Sequence, residues 1–383
     1  MKCKNLINFI RSLYNTQEII PLHEPFFDQE DKKRVSQTID STFVSSIGPL
    51  VGQLEKEICN FTGAKYAVAV VNGTSALHVA LELAGVKTGD EVLTQSLTFV
   101  ASTNAINQCN ASPVFIDVSR TTLGMCSESL GNFLTKNCEI RDGTCFNKKS
   151  KKIIKACMPM HTFGFPCEVE EINSTCNDFN IKVIEDSAES LGSFYRGSHT
   201  GTFGSCGVIS FNGNKIVTTG AGGMIITNSK ELAEKAKHIT TTARLQHRWN
   251  FDHDMPGYNY RMPNLNASLG LSQMEKLSLF LKDKKEIAQE YKKWGENNGY
   301  DIFWQSENSE SNFWLNTLIA TNKEQRDLIL KETNDASIMT RPVWTPMHEL
   351  PFNKSFQKSS LDNTNWLAER IVSLPSSVRK NVQ

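Results

Sequence analysis

Residues 66–77 read Tyr66-Ala67-Val68-Ala69-Val70-Val71-Asn72-Gly73-Thr74-Ser75-Ala76-Leu77, and the pattern changes partway along. An apolar run suited to a buried strand, Tyr66–Val71, stops at an Asn-Gly. Helical spacing then takes over in Ser75–Leu83. The same change recurs down the chain. Further strand candidates are Glu91–Gln95, Pro113–Val118, Lys152–Cys157, Ile181–Ile184, Gly207–Phe211 and Gly223–Thr227, with amphipathic stretches such as Val169–Phe179 between them. Strands alternating with helices specify an α/β fold with a mostly parallel central sheet flanked by helices. In such sheets ligands gather at the carboxyl ends of the strands.

Beyond Gly257 the pattern differs. A long helix runs from Leu265 to about Trp294, with Leu277, Phe280, Leu281, Ile287, Ala288, Tyr291 and Trp294 on one face. A β-like stretch (Phe313–Ala320), a helix (Lys323–Thr333) and a Pro-interrupted segment follow. These divide the chain into a large α/β domain, 17–255, and a smaller α+β domain, 256–383, preceded by an N-terminal extension, 1–16.

At 383 residues the chain has room for two domains. It carries 41 basic and 41 acidic side chains, a net charge of zero, which gives no electrostatic ground for a nucleic-acid or membrane-surface partner. The apolar start (Leu6-Ile7, Phe9-Ile10) is too short and broken for an export signal. The longest apolar run elsewhere, Ala67–Val71, is far below a membrane span. Ten cysteines without a C-x-x-C pair read as reduced thiols of a cytoplasmic protein. No metal site is expected.

Three motifs can carry chemistry. Asn72-Gly73-Thr74-Ser75 opens a helix directly after a strand, so free N–H groups and hydroxyls can cradle a phosphate; the same residues would also serve as a plain turn and cap. Ile184-Glu185-Asp186-Ser187-Ala188-Glu189 ends a strand in carboxylates, one able to pair with a protonated ring nitrogen; alone, Asp186 also suits a helix cap. In Ser210-Phe211-Asn212-Gly213-Asn214-Lys215, followed by Gly220-Ala221-Gly222-Gly223, a lysine leaves a strand end among uncharged residues. It suits a solvated surface group or a desolvated, nucleophilic amine. Phosphate turn, acid and amine in this order form the set that pyridoxal phosphate requires.

With these motifs the sequence resembles the DegT/DnrJ/EryC1/StrS sugar aminotransferases, from about Ile20 onward. Phe43–Ser46 with Gly48-Pro49, Val71–Leu77, Gly89–Val92, Leu97–Ser102, Pro113–Val118 and Gly257–Met262 add to the match. Ser210–Lys215, Thr241–Arg244 with His247–Trp249, and Thr340–Trp344 with Met347-His348 look most like the legionaminic-acid pathway branch. One departure is Ala221, which stands where the family usually has glutamate.

The resemblance implies the pyridoxal-phosphate fold-type I (aspartate aminotransferase-like) and pyridoxal 5′-phosphate as cofactor, passing through pyridoxamine phosphate. Lys215 would bind the cofactor aldehyde and move protons, and Asp186 would keep its ring nitrogen protonated. Phe99 would stack on the ring and Glu189 approach it. Gly73, Thr74, Ser75 and Ser210 would hold the phosphate, with Asn259 reaching the phosphate of a neighbouring subunit in a homodimer with shared sites. For the substrate, His161, Arg341, Trp344 and His348 are the candidates. The implied reaction moves the amino group of L-glutamate, leaving 2-oxoglutarate, to C4 of a nucleotide-linked 4-keto-6-deoxy sugar, most simply a 2-acetamido one. A GDP-perosamine-type synthase and a non-catalytic regulator are the rival readings. A 3-dehydratase of the same scaffold would have histidine in place of Lys215.

Overall fold

Seven short strands form one sheet in the computed structural model, which describes residues 3–379. They are β1 (Tyr66–Val70), β2 (Glu91–Gln95), β3 (Ser112–Ile116), β4 (Ile154–Met158), β5 (Lys182–Asp186), β6 (Cys206–Ser210) and β7 (Gly223–Thr227). Two have the expected bounds; the rest shift by one or two residues at one or both ends. The spatial order is β1-β7-β6-β5-β4-β2-β3. From β6 to β3 every pairing is parallel, whereas β7 runs antiparallel to both β6 and β1. The sheet is therefore mostly parallel with one reversed strand.

The strands are buried because helices cover both faces. Helix α2 (Gly73–Leu83; α1 is introduced below) was expected to be amphipathic, but Thr74 and Glu82 are its only two positions that are not fully buried. It packs on the sheet beside helices Val100–Gln108 and Lys230–Thr240, and small residues such as Ala76 and Ala80 permit that close packing. Among the described residues, no helix is long and apolar enough to cross a membrane.

The smaller unit is built on a sheet of Asp301–Ile302, Asn316–Ile319, Ile371–Leu374 and Arg341–Pro342. A single helix of 35 residues, Asn264–Asn298, spans both units. Near its start it packs on helices Gln29–Asp40 and Pro49–Thr62. Its later turns place Ile287 and Tyr291 in the core of the smaller unit.

Both domain boundaries drawn from sequence need correction. Residues 257–261 belong to the large unit: Val71 N–H donates to Tyr260 O (2.8 Å), and Tyr258 N–H to Ile239 O (2.6 Å). The segment read as an extension forms helix α1 (Lys4–Tyr14), whose Leu6, Ile7, Ile10 and Leu13 enter the core of the smaller unit. Phe9 stacks on Trp294 with centroids 5.0 Å apart. Ile20 bridges to Ile338. From helix α1 in the smaller unit the chain thus crosses to the larger and returns.

Leu6 and Ile10 are fully buried, so Leu6→Ala and Ile10→Ala should each cost about 2–5 kcal/mol in urea unfolding. A change below 0.5 kcal/mol, roughly the scale of a surface substitution, would show that α1 is not part of the core.

Candidate active site

The reversal of β7 sets up the site. Residues 211–222 must turn the chain back at the carboxyl end of β6, and Lys215 lies in that turn. Because β5, β6, β7 and β1 are neighbours, their register brings three motifs to one corner: Val208 pairs with Asp186, and Gly223 with both Ser210 and Val70. Asn72 caps α2 by accepting the N–H of Ser75 (2.8 Å). The N–H groups of Gly73 and Thr74 have no acceptor among the described residues. Gly73 lies hard against Ser210: an added Cβ would stand 3.0 Å from the serine Cβ and 3.1 Å from Oγ. A side chain at 73 would crowd the very corner where these donors meet.

The Lys215 amine sits 3.3 Å from Glu189 Oε1 and 4.0 Å from the centroid of the Trp314 ring. An ammonium gains from both neighbours, a carboxylate and an aromatic face. Glu189 is nearly buried, its Oε2 accepting the N–H of Phe163 (2.9 Å). Burial pushes this carboxyl up to about 7, against the pull of the Lys215 amine and the Phe163 N–H. Asp186 is 2% exposed. It accepts the Ser102 hydroxyl at 2.8 Å and the Ala188 N–H at 3.2 Å. Burial pushes it above the ordinary aspartate range, against Ser102, Ala188 and Lys215. An unpaired carboxylate held this way is an electrostatic demand for a cation.

Ser102 and Trp314 were missed as site residues. Ser102 lay within the quoted Leu97–Ser102 stretch but carried no local signal of a tie to Asp186. Trp314 comes from the smaller unit, in a stretch read only as β-like, and its indole N–H donates to Asn214 O (2.8 Å).

Phe99 is 48% exposed at the start of a helix, so it is a face open to a ligand and not a core aromatic. With Phe163 it flanks Trp344, at centroid distances of 6.0 and 5.1 Å. His348 is held by Ser96, Nδ1 to Oγ 2.8 Å, and burial lowers its pKa.

Two of the substrate candidates are not placed for that role. His161 is fully buried; its Nδ1 accepts the Cys167 N–H (3.2 Å) and its Nε2 faces Glu185 at 3.0 Å. With no free nitrogen and no exposure it is a structural strut. Arg341 lies exposed on the small sheet, its Nη1 donating to Asn334 Oδ1 (3.0 Å) and Thr340 O (2.9 Å). Among the described residues, no hydrogen bond or ion pair joins it to Lys215, Phe99 or Trp344. Asn259 is exposed, its Oδ1 accepting from Arg261 Nε at 2.9 Å.

The sequence profile of the DegT/DnrJ/EryC1/StrS aminotransferase family matches residues 25–381. The chain belongs to this family. It is a sugar aminotransferase dependent on pyridoxal phosphate. GDP-perosamine synthase of Escherichia coli O157:H7 is 35% identical over 365 residues, 95% of each chain. EpsN of Bacillus subtilis, named as a pyridoxal phosphate-dependent aminotransferase, is 35% identical over 333 residues, 87% of this chain and 83% of EpsN. The aminotransferase TlmJ of Streptoalloteichus hindustanus superposes with a TM-score of 0.84 at 26% identity, covering 94% of this chain and 93% of TlmJ. These findings establish the family, not the legionaminic-acid branch.

The corner fits the cofactor. Two unused N–H groups at a helix start, with the hydroxyls of Thr74, Ser75 and Ser210, suit a phosphate dianion. Buried Asp186 suits a protonated ring nitrogen, Lys215 an aldehyde, and the open face of Phe99 a flat heterocycle.

The raised Glu189 has a consequence for cofactor-free protein. Folded, it titrates at about 7, against an ordinary value of 4.5. Between those pH values the folded chain binds more protons than the unfolded one, so stability falls as pH rises through the window. The contribution is on the order of 3 kcal/mol. Glu189→Gln should remove that slope in urea unfolding at pH 5 and 8; an unchanged slope would rule Glu189 out as its source.

Proposed function

We propose that the enzyme moves the amino group of L-glutamate to C4 of a nucleotide-linked 4-keto-6-deoxy sugar, with Lys215 and Asp186 as its catalytic pair. The observation that carries this reading is the Lys215 amine, seated between Glu189 and Trp314 beside a buried, cation-seeking Asp186. Pyridoxal phosphate supplies the aldehyde and the electron sink; the chain supplies the rest. Asp186 keeps a proton on the ring nitrogen. Gly73, Thr74, Ser75 and Ser210 fix the phosphate, so the reacting carbon stands at a set place relative to Lys215. The Lys215 nitrogen would carry a proton from the α-carbon of glutamate to the reacting carbon of the cofactor, and in the second half-reaction from that carbon to C4 of the sugar. Glu189, titrating near neutrality, is matched to accept and restore the amine's proton.

The acceptor enters alongside Phe99 and Trp344, with His348 on the same segment as Trp344. Exposed Leu245, Trp249, Phe251 and Met255 lead up to Asn259. Such a surface suits burial against a second copy, with Asn259 reaching the partner's phosphate site. Ten unpaired cysteines fit a reducing, cytoplasmic setting.

Two acceptors remain in view. The 2-acetamido sugar is the reading made from sequence. GDP-4-keto-6-deoxymannose is favoured by the perosamine synthase relatives of Escherichia coli and Vibrio cholerae. A panel of nucleotide 4-keto sugars with glutamate, read by product mass and sugar stereochemistry, decides between them; no amine transfer to any member would sink the proposal. Lys215→Ala should abolish both the visible absorbance of the purified protein and turnover. Asp186→Ala should lower kcat by about 10²–10⁴-fold. Turnover of Lys215→Ala at the wild-type rate would refute its role.

A further inference from the structure

The least expected charge in the molecule is that of Lys284. It lies on the long helix Asn264–Asn298, 1% exposed. Among the described residues no carboxylate comes within ion-pair distance of it; the adjacent Asp283 is engaged by Arg379, Nη2 to Oδ1 2.5 Å. Burial pushes the Lys284 amine down to about 7. A buried amine of this kind costs several kcal/mol relative to an apolar side chain of the same size. Its position must therefore depend on its N–H donors, and these go to two backbone carbonyls: Trp314 O at 3.2 Å and Ser376 O at 2.5 Å.

Trp314 is the residue whose ring covers the Lys215 amine. It sits in a strap, 311–315, that the smaller unit extends into the site. Phe313 takes the left-handed conformation (φ 47°), a conformation disfavoured for such a side chain. Asn312 fastens the strap on the side of the larger unit, its Nδ2 donating to Glu189 O and Leu191 O, each at 2.9 Å. Its Oδ1 accepts the Trp314 N–H at 2.8 Å. On the opposite side the Trp314 carbonyl is fastened by Lys284.

We infer that Lys284 is a positioning residue: its buried amine clamps the Trp314 carbonyl to the Ser376 segment, and so sets the indole over the Lys215 amine. The inference deepens the proposed function and rests on Lys215 as the reactive amine. Without the clamp the strap can relax toward ordinary backbone angles, and the indole shifts over the lysine about its remaining hold, the N–H bond to Asn214 O.

The test compares wild type, Lys284→Met, Trp314→Ala and the double variant. Lys284→Met removes the cost of burying the amine but leaves the Trp314 and Ser376 carbonyls without that donor, so its fold is checked by circular dichroism; Lys284→Leu is the second choice. The first readout is the acetylation rate of Lys215 in the full-length, cofactor-free chain, resolved by peptide mass spectrometry. Loss of a cation–π contact should raise it about two- to thirtyfold in Lys284→Met. In the double variant, Lys284→Met should add nothing to the effect of Trp314→Ala, because there is no ring left to place. In the holoenzyme, kcat should fall severalfold while KM for glutamate changes by less than about twofold. Unchanged Lys215 labelling in Lys284→Met overturns the proposal, as does an additive double variant. A merely structural lysine would alter the melting temperature without altering the labelling. Labelling needs no cofactor, so its failure is distinct from a failure of the Lys215→Ala test.

Discussion

Lys215 meets its neighbours because one strand runs the wrong way. Were β7 parallel to β6, the connection between them would have to cross the sheet, and the chain would leave the carboxyl end of β6 as a helix. Instead it doubles back within a dozen residues and stays at that end, where β1 and β5 also finish. Gly223 makes the return possible: a Cβ there would lie 2.5 Å from Asn72 O. The glycine that closes the reversed strand therefore also lets the phosphate turn approach it.

What gathers at that corner is costly without a ligand. Of two nearly buried carboxylates, Asp186 pushes the pKa of Glu189 up, and the Lys215 amine draws both down. A third buried acid, Glu185, is next to Asp186 yet fully satisfied, accepting the N–H groups of Gly201, Phe203 and Gly204, each at 2.7 Å, besides facing His161. The contrast separates structure from chemistry. Glu185 holds the strand end in place with every lone pair used, and Asp186, one residue on, keeps capacity in reserve for a cationic ring.

The parts of this arrangement that could be read from sequence were local. Strand ends, the Asn-Gly turn, the carboxylate run and the lysine among glycines each announce themselves within a few residues. The misreadings came from contacts between distant segments. His161 follows a strand end, as a ligand-binding group would, but nothing nearby in sequence shows that Cys167 and Glu185 take both its nitrogens. Arg341 suits a diphosphate by chemistry, yet pairing of its strand with Ile371–Leu374 leaves it against Asn334. The first helix did carry a signal: Leu6, Ile7, Ile10 and Leu13 repeat at helical spacing. Its shortness drew attention to what it could not be, an export signal, and away from the core face it presents.

Trp314 shows why the smaller unit matters to the chemistry of the larger. No residue near it in sequence hints at catalysis, and Asn312 and Phe313 gain meaning only once the strap is seen to reach across. Each side of that strap is held by groups of a different unit: Asn312 to the Glu189 segment, Lys284 from the long helix that runs through both. The residue covering the reactive amine is thus tied to both units. The buried lysine, the left-handed phenylalanine and the indole form one connection, and the two hydrogen bonds that offset the burial of Lys284 are what hold it in place.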